Sequence, residues 1–256
     1  MCEKRKCRPL ISIITVSYNA AMSIERTIQS VLNQTYKNYE YIIIDGGSTD
    51  GTVDIIKKYD DKLAFWISEP DDGIYDAMNK GILQSKGDFI GIINSDDWYS
   101  DDTLEIISNY VLENNLVDIF CGDMIVHSLS GNEYLLHSNS GELKKRMSIN
   151  HPTCFVKSSL YNKKMFSLLY GVAADYDFLL WAFVHNYTFC CIDKVLAHFT
   201  LGGVSSKNTI RCTDAFFIWK DYVGTYYACI YFMRDIIKKI LRLLLKYKVY
   251  INVYLI

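Results

Sequence analysis

Short apolar runs alternate with stretches of helical spacing through the first hundred positions. Leu10 to Val16 is β-branched and almost wholly apolar, as a strand covered on both faces requires. From Met22 to Asn33, residues Ile24, Ile28, Val31 and Leu32 recur on one helical face. Tyr39 to Ile44 reads as a second buried strand, Thr52 to Tyr59 as a helix, and Leu63 to Ile67 as a third strand. Ile74, Met78 and Ile82 mark a further helix ending near Gly87, and Asp88 to Ile93 follows as a fourth strand. Strands and helices in strict alternation predict right-handed βα units, hence an α/β, doubly wound, mostly parallel sheet.

The second half is less regular. Val117 to Val126 and Glu133 to Leu136 have strand character, and His151 to Val156 begins another short strand. Ala173 to Trp181 is an apolar helix with Asp175 and Asp177 in its first turn, where the helix dipole favours acids and Asp175 would also serve as a cap. From about Cys229 the pattern changes. At about 100° per residue, Arg234, Lys238, Lys239, Arg242 and Lys246 fall within an arc of roughly 140°, while Phe232, Ile236, Ile237, Ile240, Leu243 and Leu244 lie opposite. This divides the chain into a domain over 1–228 and a basic amphipathic helical tail over 229–256. No window of about 18 residues in the tail lacks Lys or Arg, so it is not read as a membrane span. It suits either an anionic membrane surface or docking on the domain or on a second copy in a homodimer; the membrane surface fits its charge better.

Composition narrows the classes. With 256 residues, half of them hydrophobic, the chain holds one sizeable core and not two domains. A net charge of −2 gives no global basic field, which argues against nucleic acid as a partner. The eight cysteines include no C-x-x-C pair, which suggests free thiols in a reducing compartment. The N-terminus is charged and the apolar run after it is too short for a signal segment, so a cytoplasmic location is expected. With the tail, that becomes a peripheral position on the inner face of the plasma membrane.

The candidate chemistry sits where the predicted strands end. The fourth strand runs into Asn94-Ser95-Asp96-Asp97, and paired carboxylates at such an edge suit a hard divalent cation, Mn²⁺ or Mg²⁺, shared with substrate phosphates. A solvated loop with one Asp capping the next helix is the plainer reading of the same residues. The first strand ends at Thr15-Val16-Ser17-Tyr18-Asn19 and the second at Asp45-Gly46-Gly47-Ser48-Thr49-Asp50-Gly51, both small and polar. Asp45 would accept hydrogen bonds from a base or ribose, whereas Ser48, Thr49 and Asp50 are better read as caps. Asn79 and Lys80 lie within the third helix, where Lys80 would meet a phosphate or remain solvated. Neither G-x-x-x-x-G-K-[ST] nor G-x-G-x-x-G occurs, so NTPase and dinucleotide signatures are missing.

Three blocks then carry a resemblance: Ser12 to Asn19, Ile42 to Thr52 with Asp45-Gly46-Gly47-Ser48, and Asn94-Ser95-Asp96-Asp97. In that order they resemble the family 2 inverting glycosyltransferases of the GT-A, Rossmann-like fold. Gly73-Ile74-Tyr75-Asp76-Ala77-Met78-Asn79-Lys80-Gly81 is similar to bacterial members that build surface polysaccharides. The resemblance implies transfer from a nucleotide sugar, UDP-linked, to a lipid-linked or polysaccharide acceptor. Thr15, Ser17, Asp45, Asn79, Lys80 and Asp96 would line the nucleotide-sugar site, Asp96 and Asp97 would bind the metal, and Asp175 would be the general base. His151 and Gly203 are further candidates, the latter in a Leu201-Gly202-Gly203-Val204-Ser205 loop expected to act as a lid. His198 falls a few positions ahead of where the family often has a His. Many members also have Asp where Gly46 and Asn94 stand. A non-catalytic nucleotide-sugar-binding module and a sugar nucleotidyltransferase are the alternatives; the latter lacks its glycine-rich basic loop in Leu10–Asn19.

Overall fold

Four parallel strands form the part of the molecule that the apolar runs predict. The computed structural model describes residues 8–202 and 212–254. Strands β1 (Ile11–Ser17), β2 (Tyr39–Asp45), β3 (Phe65–Ser68) and β4 (Phe89–Asn94) lie in the order β3-β2-β1-β4, all parallel. Every residue of β1 is buried, because helices cover both faces of the sheet. Helices α1 (Ile24–Leu32), α2 (Thr52–Lys57) and α3 (Ile74–Gln84) make the connections. Helix α3 lies directly on β1: a Cβ at Gly81 would stand 2.5 Å from Cγ2 of Ile14, so only glycine allows this approach.

Past β4 the sheet becomes mixed. Strand β8 (Phe155–Lys157) is antiparallel to both β4 and β6 (Ile119–His127). Strand β9 (Phe189–Thr200) runs parallel to β6, and the edges are made by β7 (Glu133–Leu136) and β5 (Trp98–Tyr99). The segment expected as a strand from His151 splits into a 3-10 turn, His151–Thr153, followed by β8 and the short helix α5 (Ser158–Tyr161), since Pro152 withholds a ladder donor. Helix α4 (Thr103–Glu113) was not anticipated, although Leu104, Ile107 and Val111 recur at helical spacing after Asp101-Asp102. Two large apolar clusters fill the two sides of the sheet, one beneath α3 and α6 (Ala174–Val184), the other beneath α1 and α4.

Helices α7 (Cys212–Val223) and α8 (Thr225–Tyr254) follow. The 228/229 division lies inside α8, whose early turns dock on the domain. Ala228 is fully buried, Tyr231 packs edge-on against Trp219 at 5.4 Å, and Phe232 packs against Phe216 at 5.5 Å. Arg234, expected on the lipid-facing arc, instead donates to the carbonyl of Lys145 and to Asp235 and covers Tyr231. The side chains of Lys239, Arg242 and Lys246 lie outside the described residues, as does Gly203. Among the described residues no helix is long and apolar enough to cross a membrane.

Candidate active site

The C-terminal ends of β1, β2 and β4 open into one cavity of about 920 Å³. Its walls include Ser17 and Asn19 after β1, Gly46 and Gly47 after β2, Asp71 before α3, and Asn94, Ser95 and Asp96 after β4. This is the crevice outside the carboxyl ends of a parallel sheet, where ligands of open α/β folds bind. Thr200, Leu201 and Gly202, at the end of β9, close it from the other side.

Asp97 is the most charged problem in this region. It is fully buried and does not itself line the cavity; Oδ1 accepts from the Thr200 N–H at 3.1 Å, while Oδ2 has no hydrogen-bond partner among the described residues. Burial first, and then the charge of Asp96, hold the Asp97 carboxyl well above its ordinary value, against the Thr200 N–H and the Arg26 guanidinium. Asp96 is half-buried, and burial raises it too. Arg26 does not neutralise the pair side-on: its Nη2 donates to the Asp96 carbonyl at 2.8 Å and the Thr200 hydroxyl at 3.1 Å, and its Cζ sits 3.7 Å over the Trp98 ring. An orphaned buried carboxylate oxygen beside a second carboxylate fits a divalent cation. Among the described residues no cluster of three or more protein ligands exists, so such an ion would need further oxygen ligands from water or phosphate.

Asp45, the expected nucleotide contact, is turned into the protein, and Asp71 stands on the cavity wall. Asp45 is fully buried and receives five hydrogen bonds, from the Ser17, Ser48 and Ser68 hydroxyls and the Gly47 and Ser48 N–H groups, at 2.6–3.2 Å. With its acceptor sites filled, it shapes the 46–49 loop and does not line the cavity. Asp71 does line it. A Cβ at Gly46 would meet Oδ2 of Asp71 at 2.5 Å, so the Asp71 carboxylate occupies the space beside Gly46. The Pro70-Asp71-Asp72-Gly73 turn before α3 is the one signal in the sequence that brings Asp71 to this wall.

A second cavity, about 330 Å³, opens beyond Asn94. Asn94 and Ile74 line both. Here Asp175 stands in the first turn of α6, and its Oδ1 accepts from the Tyr75 hydroxyl at 3.0 Å and the Tyr176 N–H at 2.8 Å. Its neighbour Asp177 turns the other way, into the core, where Lys164 pairs with it at 2.9 Å and the Tyr222 hydroxyl donates at 2.8 Å. Of the two carboxylates in this turn, only Asp175 faces open space. His151 lines the same cavity, packed edge-on against Phe166 at 5.7 Å; burial lowers its pKa and keeps the ring neutral near pH 7. His137, Asn139, Ser148 and Asn150 add polar groups, and Met124, Leu136 and Met147 apolar ones.

Besides Asp45, three more expected nucleotide-sugar contacts line neither cavity. Thr15 is buried within the sheet against the Tyr41 hydroxyl at 2.9 Å. Asn79 clamps the backbone of Phe166, donating to its carbonyl at 2.9 Å and accepting from its N–H at 3.0 Å. Lys80 is neutralised by Glu69 at 2.9 Å and Asp76 at 3.4 Å, and also donates to the Pro70 carbonyl. Each obtains a better partner inside the protein than spacing alone reveals. His198 stacks on Trp98 at 5.0 Å and hydrogen-bonds His127 at 3.0 Å, behind Arg26 and away from both cavities.

Residues 12–177 match the family model described as glycosyl transferase family 2. A glycosyltransferase of Mycobacterium tuberculosis, described as uncharacterized, is 34% identical over 207 residues, 77% of this chain and 78% of the relative. Two solved structures share the fold. The S. aureus TarS fragment 1–349 in complex with UDP-GlcNAc has a TM-score of 0.67 at 21% identity, over 81% of this chain and 64% of that one. The mannosyltransferase PcManGT of Pyrobaculum calidifontis, in complex with GDP-Man and Mn²⁺, has a TM-score of 0.59 at 17% identity, over 88% and 65%. The chain thus spans less than two thirds of either structure, and 38% of the longer TarS chain.

Proposed function

The chain belongs to glycosyl transferase family 2, and from that premise we propose an inverting transfer from a UDP-linked sugar to a hydroxyl of a lipid-linked or polysaccharide acceptor. The observation that carries this reading is the junction at Asn94: on one side a large cavity walled by Asp96, next in sequence to the buried Asp97 whose Oδ2 has no hydrogen-bond partner among the described residues, and on the other a smaller cavity with an open carboxylate. In this reading the donor lies in the larger cavity, with its diphosphate at Asp96 and Asp97 and its base near Asp71, whose carboxylate would accept the N3–H of uracil. A divalent cation held by Asp96 and Asp97 would offset the charge that develops on the leaving diphosphate. Asp175 takes the proton from the acceptor hydroxyl as that oxygen attacks the anomeric carbon from the face opposite the diphosphate. Tyr75 orients this base, and neutral His151 offers a polar wall to the acceptor. Asp45 holds the loop that carries Gly46 and Gly47. For α8 we keep the membrane surface as partner, through the turns beyond Arg234.

A thermal-shift screen of nucleotide sugars with and without Mn²⁺ tests the donor site, and NMR of the product tests the stereochemistry. UDP-sugars should stabilise the protein only with the cation, and the product should have the inverted anomeric configuration. Stabilisation by GDP-sugars alone would overturn the UDP assignment, and a retained configuration would remove Asp175 from the role of base.

A further inference from the structure

Cys121 on β6 and Cys191 on β9 are direct partners in the register of these parallel strands. Their sulfurs lie 3.4 Å apart, with the Cys121 thiol directed at Sγ of Cys191 and also, at 3.7 Å, at the Cys190 carbonyl. Cys121 is fully buried, whereas Cys191 is exposed. Strands in a sheet lie about 4.8 Å apart, inside the roughly 4.4–6.8 Å range of Cα separations that a disulfide spans. A modest rotation of the two side chains therefore brings the sulfurs to bonding distance without breaking the ladder.

The two thiols are chemically unequal. The hydrogen bond from Cys121, and then the N–H and hydroxyl of Ser140, bring the Cys191 thiol down to about 6, against the effect of burial. The same hydrogen bond and burial push Cys121 well up. The exposed member is thus the thiolate, and the buried member keeps its proton, which is the division of labour of an attacking and a resolving cysteine. The other nearby thiols are placed differently. Cys190 packs with the cluster on the opposite side of the sheet, and Cys154 is buried with its thiol on the Asn150 carbonyl.

We infer that Cys121 and Cys191 form a redox-reactive pair that a small-molecule disulfide of the glutathione class converts to an intramolecular disulfide. The Cys191 thiolate attacks one sulfur of the small disulfide and releases one small thiolate, leaving a mixed disulfide on Cys191. Cys121 then loses its proton, attacks Sγ of Cys191 and expels the second small thiolate. Two protein thiols are oxidised and one small disulfide is reduced, so electrons and protons balance.

The bond would form beside the polar hub of the smaller cavity. Gly122, next to Cys121, accepts through its carbonyl from the Ser138 hydroxyl at 2.7 Å, the Thr153 hydroxyl at 3.0 Å and Asn150 Nδ2 at 3.3 Å. These groups hold the segments that carry Asn139, Asn150 and His151 into that cavity. A covalent tie between β6 and β9 at this point therefore restrains these segments and leaves the 45–52 loop untouched.

Incubation of the full chain with oxidised glutathione, followed by alkylation, mass spectrometry and non-reducing peptide mapping, tests the pair. The expected result is loss of two hydrogens in mass, a cross-link joining the Cys121 and Cys191 peptides, reversal by dithiothreitol, and no such cross-link in Cys191→Ser, whose exposed site tolerates serine. A glutathione adduct that persists on Cys191 while Cys121 remains free to alkylate overturns the proposal, as does a cross-link through Cys154 or Cys190. Amide hydrogen exchange on the cross-linked protein should slow across residues 136–153 and stay unchanged across 45–52. Unchanged exchange in both segments overturns the coupling to the cavity.

Discussion

The Tyr75 hydroxyl donates a 3.0 Å hydrogen bond to Oδ1 of Asp175, joining the helix that borders the larger cavity to the helix that borders the smaller one. Tyr75 is buried, and its own ionisation is suppressed by burial and by the Asp175 charge, so it stays a donor across the working pH range. Tyr75→Phe should lower kcat by roughly 10- to 100-fold, the scale of one hydrogen bond to a charged group, with little change in donor affinity. Asp175→Asn should cost about 10² to 10⁴ in kcat. A Tyr75→Phe enzyme with unchanged kcat would make Tyr75 a packing residue only.

Asp97 should weaken the metal-free protein. Its carboxyl is held well above the ordinary value, so it contributes stability below the unfolded value near 4 and loses that contribution as pH rises through the raised folded value. The thermal midpoint of the metal-free protein should therefore fall as pH is raised from acid toward neutral. Asp97→Asn should raise that midpoint near neutral pH by a few degrees, about 1 kcal/mol at this chain length, while abolishing stabilisation by Mn²⁺ plus donor. A less stable variant that keeps its Mn²⁺ response would make Asp97 a cap and nothing more.

Gly46 and Asp71 should behave as a coupled pair. Gly46→Ala places a methyl group 2.5 Å from the Asp71 carboxylate, which must then move out of its position in the donor cavity. Calorimetry with UDP should show affinity lowered roughly tenfold in Gly46→Ala and in Asp71→Ala, and no further in the double variant. Independent, additive losses would separate Asp71 from the nucleotide.

For α8 the informative changes are substitutions and not truncation, since cutting at 229 would remove Tyr231 and Phe232 from the core. Tyr226, Ile230, Met233, Ile237 and Ile240 leave an exposed apolar stripe at spacings of three and four. Replacing Lys238, Lys239, Arg242 and Lys246 with Gln should release the protein from anionic liposomes, at about 1 kcal/mol per charge, and added salt should do the same. Vesicle binding indifferent to both, together with a dimer in sedimentation that Ile237→Asp dissociates, would assign the stripe to a second copy of the chain.

Legibility in the sequence followed locality. The runs in β1, β2 and β4 announce themselves because a strand buried on both faces must be apolar throughout, and the order of βα units then follows from chirality and short connections. The position of Asp96 and Asp97 at the end of β4 was readable for the same reason. What the long-range packing decided was which polar side chains remain available. Asp45, Thr15, Asn79 and Lys80 are claimed by partners from elsewhere in the chain, among them Ser68, Tyr41, Phe166 and Glu69. Asp175 and Asp177 share one helical turn, and only the arrival of Lys164 and Tyr222 at Asp177 leaves Asp175 to the cavity. Spacing places a residue on an element and a face; its availability depends on groups tens of residues away, which only the folded chain brings within hydrogen-bonding distance.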